Sequence, residues 1–428
     1  MEVLILVLSF LILLALGIPI AYSIGLASIF TLLLSMEPMI AFATIAQRMA
    51  TGLDSFSLLA IPFFILAGQL MNRGGIATRL IDFARSLVGV LPGGLIYVNI
   101  VACMLFGAIS GSAAAAASAI GSFMIPKMEN EGYPKPFSAA VNIASSTTGL
   151  VIPPSNVLII YSLASGGVSI TALFVAGYIP GLLMGLALVG VGYVYALKKG
   201  LPREKTSSLI DIVKSFTNAI PSLFLLVLVM GGIIGGIFTA TEASAIAVVY
   251  ALLLSMVFYK ELKIADLHNV ILETVRISSI VLILVSTSIA MSWVLSFENI
   301  PQDLSSFLLT ISENKILILL IINLMLLFVG VFMDITPAVL IFTPIFLPVV
   351  TDLGVDPIHF GIIMVMNLCI GLCTPPVGSI LFVGISVAKV KIEEVIKPLV
   401  PLFIVLLVVL LIITFVPQLS LFLPNLLN

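Results

Sequence analysis

The segment Gly149-Leu-Val-Ile-Pro-Pro-Ser-Asn156 recurs as Gly371-Leu-Cys-Thr-Pro-Pro-Val-Gly378, 222 residues downstream. The same offset carries Ile125-Pro126 onto Leu347-Pro348 and Gly132 onto Gly354. Three separated matches at one offset mark an internal repeat. Each Pro-Pro copy lies inside an apolar segment, where consecutive prolines cannot continue a helix. Broken helices at corresponding points of two halves point to the binding site of a membrane transporter.

The chain is 61% hydrophobic and 9% charged, against about 25% charged in ordinary soluble domains. Apolar runs long enough to cross a bilayer recur from end to end. The fold class is therefore an all-α polytopic membrane protein. The opening MEVLILVLSFLILLALGIP lacks a basic n-region and a clear small-x-small cleavage site, so it reads as a first span rather than a signal peptide. Cys103, Cys369 and Cys373 fall in apolar segments and read as buried small hydrophobes, not a disulfide framework. No basic aromatic patch suggests nucleic acid.

Taken in order, residues 1–197 form the first repeat and 198–428 the second. The first holds spans within 1–71, with 37–55 along the membrane surface, and a basic stretch with Arg73, Arg79 and Arg85. A re-entrant hairpin over 93–125 has its tip at Ser110–Ser112. A span over 137–164 is broken at Gly149–Ser155, and a span over 171–196 leads to the basic 198–205 loop. In the second repeat a polar arm (206–218) precedes spans within 220–297. An amphipathic arm leads to the last of these, at 277–297. The segment 298–314 has no Lys or Arg and reads as a loop. A hairpin over 316–348 has its tip at Met333–Thr336, a span over 359–387 is broken at Gly371–Pro376, and 398–416 crosses last. Placing Arg73–Arg85 in the cytoplasm puts every Lys and Arg there except Arg48 and Lys315, the orientation that the positive-inside rule selects. Each half then crosses five times. The halves have opposite topology, the repeat is inverted, and both termini face outward.

Non-helical backbone survives at membrane depth only where it is buried or lines a wet cavity. Two hairpin tips and two Pro-Pro breaks lie there. Ser112 or Ser110, and Asp334 or Thr336, sit where a returning half-helix begins, and all are N-cap residue types. Pro153, Pro154, Pro375 and Pro376 suit the first turn of a half-helix, where a missing N–H does no harm. Such N-termini favour an anion, and half-helices ending at Gly149 and Gly371 present free carbonyls that favour a small cation such as sodium. No Lys, Arg or His lies in any break, so backbone N–H groups, hydroxyls and bound sodium must meet an anionic substrate. The run Ser112-Ala-Ala-Ala-Ala-Ala-Ser118 suits either site-lining or close helix packing. Asp334, the only acid at the second tip, is an intramembrane carboxylate and a site candidate by default. Glu242 reads as a helix cap or inter-helix contact. His268 falls in a surface arm and His359 at the start of a span, neither with metal-ligand company.

These residues resemble a known family. IPFFILAGQLMNRGGIATRL, GAISGSAAAAASAIG, EGYPKPFSAAVNIASSTTGLVIPPSNVLIIY, ALFVAGYIPGLLMG, GGIFTATEASAIAVV and GLCTPPVGSILFVGIS look like the large membrane (M) subunit of tripartite ATP-independent periplasmic (TRAP) transporters. The resemblance covers essentially the whole chain. It implies a sodium-coupled importer of an organic acid in the bacterial inner membrane, working by an elevator-like motion. A moving domain would carry both hairpins and both broken spans against a scaffold built from the other spans. It also implies two partners, a small four-helix membrane subunit (Q type) and a periplasmic substrate-binding protein (P type). Carried onto this chain, substrate contacts fall at Ser110, Ser112, Pro154, Ser155, Asn156, Pro376 and Gly378. Sodium falls near Ser112, Gly149, Asp334, Thr336, Gly371 and Thr374. Many members read Pro-Pro-Ser-Ile-Pro in the first break. This chain has Pro-Pro-Ser-Asn-Val and then Leu-Ile-Ile-Tyr-Ser162, which looks more like the sialic-acid branch than the C4-dicarboxylate branch.

Other readings compete. A C4-dicarboxylate or other organic-acid TRAP transporter keeps the same fold and partners. A stand-alone sodium/dicarboxylate symporter would share hairpins, repeats and mechanism but transport without a binding protein. An intramembrane protease fits poorly: Gly107-Ala-Ile-Ser-Gly111 has one residue too many for Gly-x-Ser-Gly, and Asp334 has no intramembrane carboxylate partner. The chain is not read as an enzyme. No Gly-x-x-x-x-Gly-Lys-Ser/Thr motif supports an ATP-driven pump.

Overall fold

A computed structural model describes residues 2–89, 91–201, 209–311 and 314–427. Residues 202–208, which carry part of the expected basic loop and polar arm, lie outside them. The first half contains α1 (Glu2–Ala15), α2 (Ile20–Ser35), α3 (Pro38–Gly52) and, after a short turn at Phe56–Leu59, α4 (Ala60–Arg73). It continues with α5 (Ile76–Val88), α6 (Gly94–Ser110), α7 (Ala113–Asn130), α8 (Lys135–Thr148), α9 (Asn156–Ala164) and α10 (Ile170–Lys199). The second half opens with α11 (Leu209–Ile234), α12 (Ala240–Leu253), α13 (Ile264–Phe297) and α14 (Ile300–Ile311). Then come α15 (Lys315–Phe332), α16 (Ile335–Asp352), α17 (Pro357–Gly371), α18 (Ser379–Ala388), α19 (Ile392–Phe415) and α20 (Gln418–Leu427). Among the described residues, eight helical spans are long and apolar enough to cross a membrane. The chain is an all-helical, polytopic membrane protein.

The 222-residue offset runs through the architecture. It carries α6 onto 316–332, within α15, and α7 onto 335–352, the bounds of α16. It likewise brings α8 onto α17, α9 onto α18, and α5 onto α14. This last correspondence corrects the expectation of a loop at 298–314. Ile300 and Leu304, one turn apart, turn inward on α14 and give it the apolar stripe of a surface helix.

Three further segments differ from expectation. The arm and span of 206–238 are one helix, α11, within the described residues. The arm and span before residue 297 are likewise one helix, α13, of 34 residues. In the first half the equivalents of α13, α3 and α4, stay separate because Leu53–Ser55 interrupts them. α20 was not expected. It exists because Pro417 stops the path that α10 follows unbroken in the first half, proline lacking the N–H that a helix interior needs. His359, at the first turn of α17, is buried and touches Ser420 of α20 (Nδ1 to Oγ, 2.7 Å) and the Thr414 carbonyl of α19 (3.3 Å). Cys103, Cys369 and Cys373 are free and buried, as read from the sequence.

Within each half, the outgoing hairpin arm packs on the first half of the broken span, α6 on α8 and α15 on α17. The returning arms pack on the same broken spans, α7 on α8 and α16 on α17, and also cross over, α7 against α18 and α16 against α9. Each hairpin is therefore closed by the other repeat. Helices α4 and α13 flank this group, α4 touching α6 and α9, and α13 touching α16.

Candidate functional site

The first hairpin turns at Gly111, whose φ of +60° is cheap only for glycine. A Cβ there would also lie 2.6 Å from Asn156 Nδ2, so the tip sits directly on the start of α9. Ser112 caps α7 by accepting the Ala115 N–H at 3.2 Å, and Ser110 Oγ donates to the Ser112 carbonyl at 3.4 Å. At the second tip Asp334 caps α16, its Oδ1 accepting the Ile335 N–H at 2.9 Å. Both caps agree with the sequence reading.

The prolines do not. α9 starts at Asn156 after the extended cap Ser155, and α18 at Ser379 after Gly378. Both Pro-Pro pairs, with cis peptide bonds, therefore stand in the connecting turns rather than in the first helical turn. The residue before a proline is driven out of the α region, so neither Pro153 nor Pro375 can begin a helix. The expected free carbonyls at the second break are also partly used: Gly371, Leu372 and Thr374 accept from the N–H groups of Thr374, Ile380 and Gly378. Each carbonyl keeps a second lone pair.

One cavity of about 420 Å³ collects these features. Ser110, Ser112, Asn156, Asp334 and Thr336 line it, with Ser379 and Leu372 from the second break and Leu150 from the first. Ala113, Ala114 and Ala115 line it too, whereas Ala116 and Ala117 are buried in packing. The alanine run serves both purposes, divided along its length. Gly149, Pro154, Ser155, Gly371, Thr374, Pro376 and Gly378 are not among the lining residues. Ser155 is buried and donates to the Leu150 carbonyl, Thr374 donates to the Ile370 carbonyl at 2.8 Å, and Pro376 is exposed. Pro154 borders a small apolar gap with Phe64, Ile109 and Leu225. Glu242 forms the capping box of α12 with Thr239 and lies outside the cavity.

The sequence reading missed the outer walls of the cavity. α4 contributes Ile61, Ile65, Gly68, Gln69 and Asn72, and α13 contributes Ile277, Ile280, Val281 and Leu284. The signal was present: two carboxamides three residues apart share one face of a helix that is apolar up to Arg73. α4 touches the first tip so closely that a Cβ on Gly68 would meet the Ser110 carbonyl at 2.8 Å.

Two hairpin tips and two helix breaks around one cavity, inside a repeated helical membrane protein, define a secondary-transporter architecture. The chain belongs to the family described as "Tripartite ATP-independent periplasmic transporter, DctM component", whose model matches residues 7–419, and it is a TRAP large membrane subunit. It is 56% identical to the uncharacterized protein YgiK of Salmonella typhimurium, over 98% of this chain and 96% of that one. It is 43% identical to the isethionate TRAP transporter permease protein DctMQ of Oleidesulfovibrio alaskensis, over 96% of this chain and 64% of that longer one. Its fold resembles the crystal structure of the Alcanivorax borkumensis YdaH transporter, with a TM-score of 0.65 over 87% of each chain at 13% identity.

Proposed function

We propose that this chain is the conducting subunit of a sodium-coupled importer of an organic acid, moving its cargo by an elevator motion across the bacterial inner membrane. The observation that carries this reading is the meeting of both hairpin tips and both breaks at one cavity, whose volume falls in the range of small-molecule sites, roughly 300–1,000 Å³. In this reading the N-termini of α7 and α16 meet the acid group of the substrate. Sodium is held by oxygens at Asp334, Thr336 and Ser112 and by carbonyls at the ends of α8 and α17, the arrangement that broken helices provide. The donor set suits such an ion: Asp334 spends Oδ1 on its cap and keeps its other oxygen. No cluster of three His, Cys, Asp or Glu occurs among the described residues.

Sialic acid is our first candidate substrate, on the Pro-Pro-Ser-Asn-Val sequence of the first break. Relatives 38–43% identical are named for isethionate, C4-dicarboxylates, 2,3-diketo-L-gulonate and sialic acid, so overall identity does not rank these acids. The partners in this reading are a periplasmic binding protein and a small membrane subunit. We take the latter as a separate chain; the longer DctMQ relative marks fusion as the other arrangement. Both chain termini face outward.

Uptake into proteoliposomes under an inward sodium gradient tests the reading, with labelled sialic acid, isethionate, 2,3-diketo-L-gulonate and succinate, with and without both partners. Sodium-dependent uptake that needs the binding protein is the expected result. Uptake by this chain alone would favour a stand-alone symporter, and no uptake of any of the four acids with both partners present would refute these substrates.

A further inference from the structure

The α4 wall of the cavity carries chemistry that neither hairpins nor breaks supply. Gln69 is half-buried and Asn72 exposed, while Ile65 and Ile61 further along the same stripe are buried. The two carboxamides thus stand at the mouth. Neither has a hydrogen-bond partner among the described residues. The adjoining wall on α13, which packs against α4, contributes only apolar lining residues: Ile277, Ile280, Val281 and Leu284. The neighbouring cation, Arg73, is not among the lining residues and is tied to Glu273 of α13 at 2.9 Å. The lining residues include no Lys, Arg or His, and one carboxylate, Asp334.

We propose that Gln69 and Asn72 are specificity-determining residues, which hydrogen-bond a neutral hydroxyl or amide on the body of a singly charged organic acid. This rests on the transport reading above and narrows its substrate class. A carboxamide offers both donors and an acceptor. A hydroxyl or secondary amide satisfies both functions. A second carboxylate satisfies only the donors and leaves two carboxamide oxygens facing negative charge, with no cation in the wall to offset it. The apolar α13 face asks for a carbon skeleton rather than another charge. The class selected is one acid group plus a hydroxylated or amidated body, and C4-dicarboxylates are disfavoured.

The test is calorimetric binding to the purified full chain in detergent with sodium present. The probes are N-acetylneuraminate, 2,3-diketo-L-gulonate and isethionate as singly charged acids, and succinate as the dicarboxylate. The parent is expected to bind at least one of the three about tenfold more tightly than succinate. Gln69→Leu with Asn72→Leu should erase that preference, the loss of about one hydrogen bond of discrimination. Asn72→Gln should retain most of it. The thermal midpoint in sodium alone should stay at the parent value, which separates recognition from folding. A parent that prefers succinate, or a double variant with an unchanged preference, overturns the proposal. A parent that binds none of the four overturns this inference, and sodium-dependent uptake by the chain with both partners decides the transport reading separately.

Discussion

Gly107 of α6 and Gly149 at the end of α8 meet backbone to backbone: a Cβ on Gly149 would lie 2.4 Å from the Gly107 Cα. The second half repeats the contact: a Cβ on Gly371 would lie 2.6 Å from the Gly330 Cα. Both broken spans therefore end pressed against the outgoing arm of their own hairpin, and a side chain at either point has only backbone to push.

Gly149→Ala and Gly371→Ala should each lower stability by about 1–3 kcal/mol, the usual range for overpacking a filled interior. Gly190→Ala, inside α10 with open space around it, should not lower stability and should raise it by up to about 1 kcal/mol. Thermal unfolding in detergent measures all three, and equal midpoints would show that the contact yields.

Asp334 both caps α16 and presents its carboxylate to the cavity. Asp334→Asn keeps a capping oxygen and removes the charge, so the protein should stay folded while the sodium concentration for half-maximal uptake rises about tenfold or more, roughly the 1.4 kcal/mol of one lost charge contact. Asp334→Ala should lose the cap as well. Unchanged sodium dependence in both variants would remove Asp334 from the ion site.

Gly68 lets α4 pass against the Ser110 backbone. If the hairpins slide past α4, Gly68→Val should reduce uptake by at least about tenfold, since the clash of about 1–3 kcal/mol must be carried through every cycle. Full uptake by this variant would mean that α4 and the first hairpin do not move along this contact.

All three native cysteines are buried, which leaves a quiet background for labelling. Cysteine at Ser165, between α9 and α10, should react with an impermeant thiol reagent from outside, and cysteine at His268, exposed on α13, only from the cytoplasm. The reverse pattern would invert the topology.

His359→Phe removes the two hydrogen bonds from α17 to α20 and the end of α19. It should destabilise the protein by about 1–3 kcal/mol, because Ser420 and the Thr414 carbonyl lose partners. Protease cleavage near residue 417 should quicken. An unchanged cleavage rate would show that apolar packing alone seats α20.

The sequence was most legible where backbone chemistry is unforgiving. Pro-Pro pairs, tip glycines and cap residues fix local geometry, and they located both hairpins and both breaks. Their side chains were harder to place, because a break commits most of its polar atoms to itself: Ser155 and Thr374 bond to nearby carbonyls and never reach the cavity. The α4 and α13 walls were invisible for a different reason. Which face of an apolar helix meets a cavity depends on partners far away in sequence, and Gln69 and Asn72 gain meaning only once Ser110 is seen beside Gly68. α14 and the continuous α13 escaped because polar residues at one end of a helix look like a surface arm or loop when no neighbour is known.

The crossing of α7 onto α18 and of α16 onto α9 also bears on ancestry. Half of this chain owns one hairpin, one break and one wall of the vessel, and cannot enclose a solute. An ancestor of that length would need a second copy of itself to close the cavity. The two walls do not meet the cavity at matching positions: α4 lines it as far as Gln69 and Asn72, whereas their counterparts 222 residues on, Met291 and Val294, do not line it and α13 does so over 277–284.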